Sequence, residues 1–124
     1  RAYHLTAAGE LRQLSRDHTV LNAMIDRGEA AADKAYASFY NILDSCLVAD
    51  DEETDFAIQR SESSLLPGES FLLCTDGVHA VLGEHRLLRS LNSQKEALKQ
   101  ITALRQAVLA AGAPDNFSMV MVKR

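Results

Sequence analysis

Tryptophan is missing and only 6% of the residues are aromatic, so any core must be built mostly from aliphatic side chains. The two cysteines, Cys46 and Cys74, are too few for a disulfide framework and lack metal-ligand spacing, which points to a reducing, cytoplasmic setting. Both read as small core residues rather than reactive thiols. No apolar run approaches the roughly 18 residues that a membrane span needs, so no membrane is expected as a partner. There is no basic cluster interleaved with aromatics, and the net charge is −4, which argues against nucleic acid as the main partner. Internal repeats and low-complexity tracts are also missing. The start, Arg1-Ala2-Tyr3-His4-Leu5, has neither an initiator Met nor a signal peptide and goes straight into strand-like sequence, as expected of a piece of a longer chain.

What is present suffices for one domain. A chain of 124 residues that is 47% hydrophobic can bury roughly two thirds of its unfolded surface. Ala2–Leu5 and Leu11–Leu14 flank a Gly-containing connection and predict a β-hairpin. Thr19 is placed to cap a helix carrying Val20, Leu21, Met24 and Ile25, with Gly28 as its stop. A short Ala-rich helix is expected over about Ala30–Tyr40. The acidic run Asp50–Glu53 predicts a solvated loop, and alternation from Thr54, with Phe56 and Ile58 on one face, predicts a half-buried strand. Pro67-Gly68 turns the chain into a strand at Ser70–Thr75. A helix is expected around Glu84–Leu91. A longer one follows, with a capping box at Ser93 and Glu96, an apolar stripe of Leu98, Ile101, Leu104 and Val108, and a close at Gly112 and Pro114. Phe117–Val122 reads as the last strand. The sum is roughly five strands and four helices in one α+β unit.

The chemistry is sought where strands end. Ser70–Gly77, Ser-Phe-Leu-Leu-Cys-Thr-Asp-Gly, reads as a buried strand that delivers the carboxylate of Asp76, with Gly77 allowing a sharp turn behind it. A carboxylate buried there would need a hydrogen bond, an ion pair or a metal; the alternative is that Asp76 merely caps the next turn. Asp115 precedes the last strand. Two carboxylates about 4 Å apart repel by roughly 4 kcal/mol at a protein-like dielectric, so converging acids imply a cation between them or a raised pKa. Oxygen-only ligation selects hard ions, Mg²⁺ or Mn²⁺.

Five ordered stretches resemble the C-terminal half of a metal-dependent protein phosphatase of type 2C, the PPM family. Arg1-Ala2-Tyr3 resembles the tail of its Gly-Asp-Ser-Arg strand. Leu14–Thr19, with Asn22 and Arg27-Gly28-Glu29, resembles its Leu-Thr-x-Asp-His-Ser segment, and Asn41-Ile42-Leu43 the start of its Asn-Val-Leu stretch. Leu66–Glu69 with Leu72–Val78 resembles its Leu-x-x-Gly-Asp and Leu-Leu-Cys-Ser-Asp-Gly-Leu motifs, and Asp115-Asn116 with the closing strand its Asp-Asn ending. The resemblance implies part of an α-β-β-α sandwich with mostly antiparallel sheets, residues 1–124 being the C-terminal portion of a single catalytic domain. It implies hydrolysis of phosphoserine and phosphothreonine in phosphorylated proteins by a water bridging two metal ions. Asp76 and Asp115 would be metal-binding catalytic aspartates, and Gly77 and Asn116 shaping residues behind them.

The same resemblance implies an incomplete two-metal site. The family's first metal aspartate, phosphate-binding arginine and general-acid histidine would lie upstream of Arg1. Ala80 stands where an accessory third-metal aspartate is usual, and Asp44-Ser45-Cys46-Leu47-Val48 replaces the family's flap sequence Thr-Arg-Ala-Leu-Gly. The isolated chain is therefore expected to be inactive, and a catalytically inactive regulatory or binding module remains the alternative. His4, His79 and His85 read as surface or capping groups and His18 as structural. With half a sandwich missing, exposed sheet edge and apolar surface would favour self-association.

Overall fold

A computed structural model of the chain describes residues 1–30, 42–46 and 58–124. The chain divides into two compact units, Arg16–Arg60 and the combination of Arg1–Ser15 with Ser61–Arg124. The second contains the sheet. Its strands are β1 (Ala2–Leu5), β2 (Leu11–Gln13), β3 (Ser70–Cys74) and β4 (Met119–Lys123), in the order β2-β1-β3-β4 with every pair antiparallel.

Register follows from alternation. Tyr3 lies opposite Leu72, and Leu72 opposite Met121, so one row of large apolar groups crosses the sheet on a single face. Leu5, Cys74 and Met119 add to that face. Two helices cover it, α2 (Asp76–Asn92) and α3 (Ala97–Ala110), which contribute Val78, Leu82, Leu87, Leu91, Leu104 and Val108 to one core with Tyr3, Leu5, Leu72 and Cys74. Each fully buried leucine contributes about 1.5–3 kcal/mol relative to exposure. On the opposite face the rows are Ala2–Leu73–Val120 and His4–Phe71–Val122. There Leu73, Val120 and Val122 remain at least half exposed.

Several expectations need correction. α2 starts at Asp76 rather than near Glu84, and it is broken at Gly83, whose φ of 65° and ψ of 166° are non-helical. Glycine tolerates that φ without steric cost, which permits two helical segments of different direction to follow each other. The capping box does not form. Ser93 closes α2, its hydroxyl donating to the Ser90 carbonyl (2.7 Å), while Glu96 is the N-cap residue of α3 and pairs with Lys99 instead. Leu98 is not part of the buried stripe but 77% exposed; Gln100 takes the inward position, its amide donating to the Leu91 carbonyl at 2.8 Å. A buried amide is tolerated there because that hydrogen bond replaces water.

In the Arg16–Arg60 unit, α1 (Val20–Asp26) starts as expected, with Thr19 Oγ1 accepting from the Asn22 N–H at 3.3 Å. Thr19 and Leu43 form an isolated antiparallel bridge, and Leu21 is buried. The helix expected over about Ala30–Tyr40, the acidic loop and most of the strand expected from Thr54 lie outside the described residues.

Candidate metal centre

β3 and β4 end together. Cys74 pairs with Met119 on the last rung, and beyond it the Thr75 N–H donates to the Ser118 carbonyl (3.1 Å) while the Ser118 N–H donates to Thr75 Oγ1 (3.0 Å). Thr75 is the N-cap residue of α2, yet its hydroxyl is spent on Ser118 rather than on the helix. The consequence is that Asp76, first residue of α2, and Asp115, in the loop leading to β4, leave the sheet at the same end. Both line one cavity of about 520 Å³, with Gly77, Ala80, Val81, Arg86, Ala111 and Pro114.

Gly77 fixes how these two loops meet. A Cβ built on it would lie 2.2 Å from the Asn116 carbonyl oxygen and 3.1 Å from Phe117 Cβ. Its φ is not among the positive values in the chain, so the residue is required for close approach and not for the sharp turn expected from the sequence. Asn116 contributes through its backbone carbonyl, against which Gly77 packs; its side chain is not in the cavity wall.

Asp76 is exposed, not buried at a strand end, because β3 stops at Cys74 and the first turn of α2 carries the carboxylate outward. Its Oδ1 accepts from the adjacent Gly77 N–H at 2.9 Å, and Asp115 Oδ1 accepts from the adjacent Asn116 N–H at 2.7 Å. Among the described residues neither carboxylate has a further hydrogen bond or an ion pair. Asp76 also sits where the α2 dipole favours negative charge. These are hard oxygen donors with free coordination positions, facing one space, and they fit Mg²⁺ or Mn²⁺ as two ligands of a larger set. They do not make a complete site: among the described residues no group of three or more His, Cys, Asp or Glu could hold a metal ion.

The histidines lie elsewhere. Neither His79 nor His85 lines the cavity. His18 and Asp17 line a separate pocket of about 190 Å³ within the Arg16–Arg60 unit, where Arg16 pairs with Asp26 at 2.7 Å. His4 is no surface group: it pairs with Glu69 at 2.9 Å, both side chains being nearly buried. Sequence reasoning missed Arg86 in the wall of the carboxylate cavity, since nothing in its local pattern separates it from any exposed helical arginine.

No family model matches the chain. Among curated proteins it is similar to the serine/threonine protein phosphatase PstP of Mycobacterium tuberculosis, 24% identical over 119 residues, which are 95% of this chain and 22% of PstP. Among solved structures it superposes on PppA, a regulatory component of the T6SS in Pseudomonas aeruginosa, with a TM-score of 0.76 at 26% identity, covering 99% of this chain and 48% of PppA. The chain has the fold of the PPM Ser-Thr phosphatases. The PPM Ser-Thr phosphatase MsPP of Mycobacterium smegmatis, solved with cacodylate, matches with a TM-score of 0.70 at 22% identity, over 98% of this chain and 51% of MsPP. The catalytic domain of PstP, solved with 2 manganese ions, matches at 0.64 and 23% identity, over 98% of this chain and 48% of that domain. The chain thus spans about half of each of these solved chains and about a fifth of full-length PstP. The antiparallel sheet with helices packed on one face agrees with the α+β class expected from the sequence. No helix among the described residues is long and apolar enough to cross a membrane.

Proposed function

We propose that this chain supplies Asp76 and Asp115 to the metal centre of a Mg²⁺- or Mn²⁺-dependent phosphatase that hydrolyses phosphoserine and phosphothreonine in proteins. One observation carries the reading: two aspartates 39 residues apart in sequence line one cavity, and among the described residues each lacks any partner beyond the adjacent N–H. When bound, such an ion supplies Lewis acidity toward a phosphoryl oxygen and lowers the pKa of water. Asp76 and Asp115 would hold it, with Gly77 letting their loops pack closely together. Residues 1–124 are read as one portion of a single catalytic domain, in a cytoplasmic signalling protein; the unpaired thiols of Cys46 and Cys74 agree with a reducing compartment.

The test is turnover in the full-length parent. Asp76→Asn and Asp115→Asn are each expected to remove most activity, and near-wild-type turnover in both refutes the assignment. The 124-residue chain alone is expected to leave p-nitrophenyl phosphate intact, because two carboxylates do not complete the ligand set. The open face of Leu73, Val120 and Val122 favours self-association of the isolated chain. Light scattering that shows only monomer at high concentration counts against this last point.

A second reading, a phosphatase-like module without catalysis, has one observation on its side: no third ligand joins the two aspartates among the described residues. Turnover in the parent separates the two.

A further inference from the structure

The carboxylate cavity is not closed behind Asp76 and Asp115. Arg86 and Ala111 are walls of that cavity and also of a second one of about 270 Å³, to which Arg89, Ser90 and Ala107 contribute. Arg86 and Arg89 stand three residues apart on α2, a spacing that makes helical side chains neighbours. The break at Gly83 gives the segment that carries them a direction of its own. On the α3 side the wall is alanine, which leaves room for a ligand.

The chain is acidic overall, at −4, yet among the described residues neither Arg86 nor Arg89 forms an ion pair. Even Arg86, which shares a cavity with two aspartates, is bound to neither. Unpaired neighbouring guanidiniums offer paired N–H donors in a planar fork, a geometry that matches phosphate oxygens, and the Ser90 hydroxyl adds a further donor.

We propose that Arg86, Arg89 and Ser90 form a phosphate subsite beside the carboxylate cavity, which selects peptides carrying a second phosphorylated residue. The proposal rests on the phosphatase reading for the place of the first phosphate. Arg86, as wall to both cavities, sets the spacing between the two groups.

The 124-residue chain, in Mn²⁺ buffer, is titrated with two fluorescent peptides of one sequence, carrying one or two phosphoserines, and binding is read by anisotropy. The doubly phosphorylated peptide is expected to bind about five-fold tighter, a preference that shrinks with added salt. Arg86→Gln with Arg89→Gln is expected to abolish the preference, while Arg105→Gln, an exposed residue of α3 outside both cavities, leaves it intact. Equal binding of the two peptides, no binding of either, or a preference that survives the double substitution overturns the subsite. Circular dichroism confirms that the variants fold, and the solvent-exposed Arg86→Lys and Arg89→Lys variants, expected to keep part of the preference, separate charge from fork geometry. Turnover of the full-length parent and of its Asp76→Asn variant reads the underlying centre on its own: near-wild-type turnover in that variant overturns the phosphatase reading, and lost turnover together with no peptide preference overturns only the subsite.

Discussion

The two ends of the sheet treat acidic side chains in opposite ways. At the end where β3 begins, Glu69 is almost fully covered and satisfied: it accepts from the Leu66 N–H at 3.0 Å and pairs with His4 Nε2 at 2.9 Å, beside the ring of Phe71. At the end where β3 stops, Asp76 and Asp115 are exposed, bonded among the described residues only to the neighbouring N–H, and line one cavity. An acid that exists to hold the fold spends its oxygens on the fold. An acid that keeps them leaves them open to a ligand, and the two loops that carry such acids here are packed together through Gly77 against Asn116.

The contrast can be broken most severely at Gly77. Gly77→Ala puts a methyl 2.2 Å from a backbone oxygen that cannot rotate away, so the two aspartate loops must part. A loss of about 3 kcal/mol in urea unfolding is expected, at the upper end of the cost of overpacking. A variant as stable as wild type would mean that the loops separate freely.

Glu69→Gln breaks the other end. The Leu66 N–H first and His4 after it hold the Glu69 carboxyl below the usual carboxylate range, against the opposing effect of burial. The native chain therefore keeps Glu69 ionised to lower pH than the unfolded chain does. Its stabilisation is complete above the unfolded value of about 4.3 and disappears as pH falls through the lower native value. The variant should be less stable at neutral pH and should lose less on acidification than wild type, measured by thermal unfolding between pH 7 and 3. Parallel acid limbs in the two proteins would contradict a structural role for the pair.

The smallest effect on stability is expected at the site itself. Without metal, Asp76→Asn and Asp115→Asn should each change unfolding free energy by no more than about 0.5 kcal/mol, as for exposed side chains without partners. A large loss at either would show that the aspartates serve the fold and would erase the contrast with Glu69.

Much of this architecture was legible because local chemistry and tertiary structure agree. The hairpin expected of Ala2–Leu5 and Leu11–Leu14 forms, the apolar run of β3 ends where its pairing ends, and Thr19 caps α1 as its position before Val20 suggests. Illegible features depend on partners distant in sequence. Gln100 is inward because the Leu91 carbonyl is there to accept from it, and Leu98 is outward as a result of the same helix rotation. The start of α2 at Asp76 was hidden by Gly77, which read as allowing a sharp turn but is demanded by the approach of Asn116, and the break at Gly83 left no mark in the apolar pattern. The pairing of Asp76 with Asp115 was suggested by resemblance and strand ends, whereas Arg86 and the His4–Glu69 pair required coordinates.

The most direct measurement is a Mn²⁺ titration of the ¹⁵N-labelled chain followed by paramagnetic line broadening. Broadening should centre on residues 75–77 and 115–118 and should vanish in both Asp76→Asn and Asp115→Asn. Broadening that centres on Glu69 or on Asp17, Asp26 and Asp44, or that persists in the two variants, would contradict a shared metal-binding role for Asp76 and Asp115.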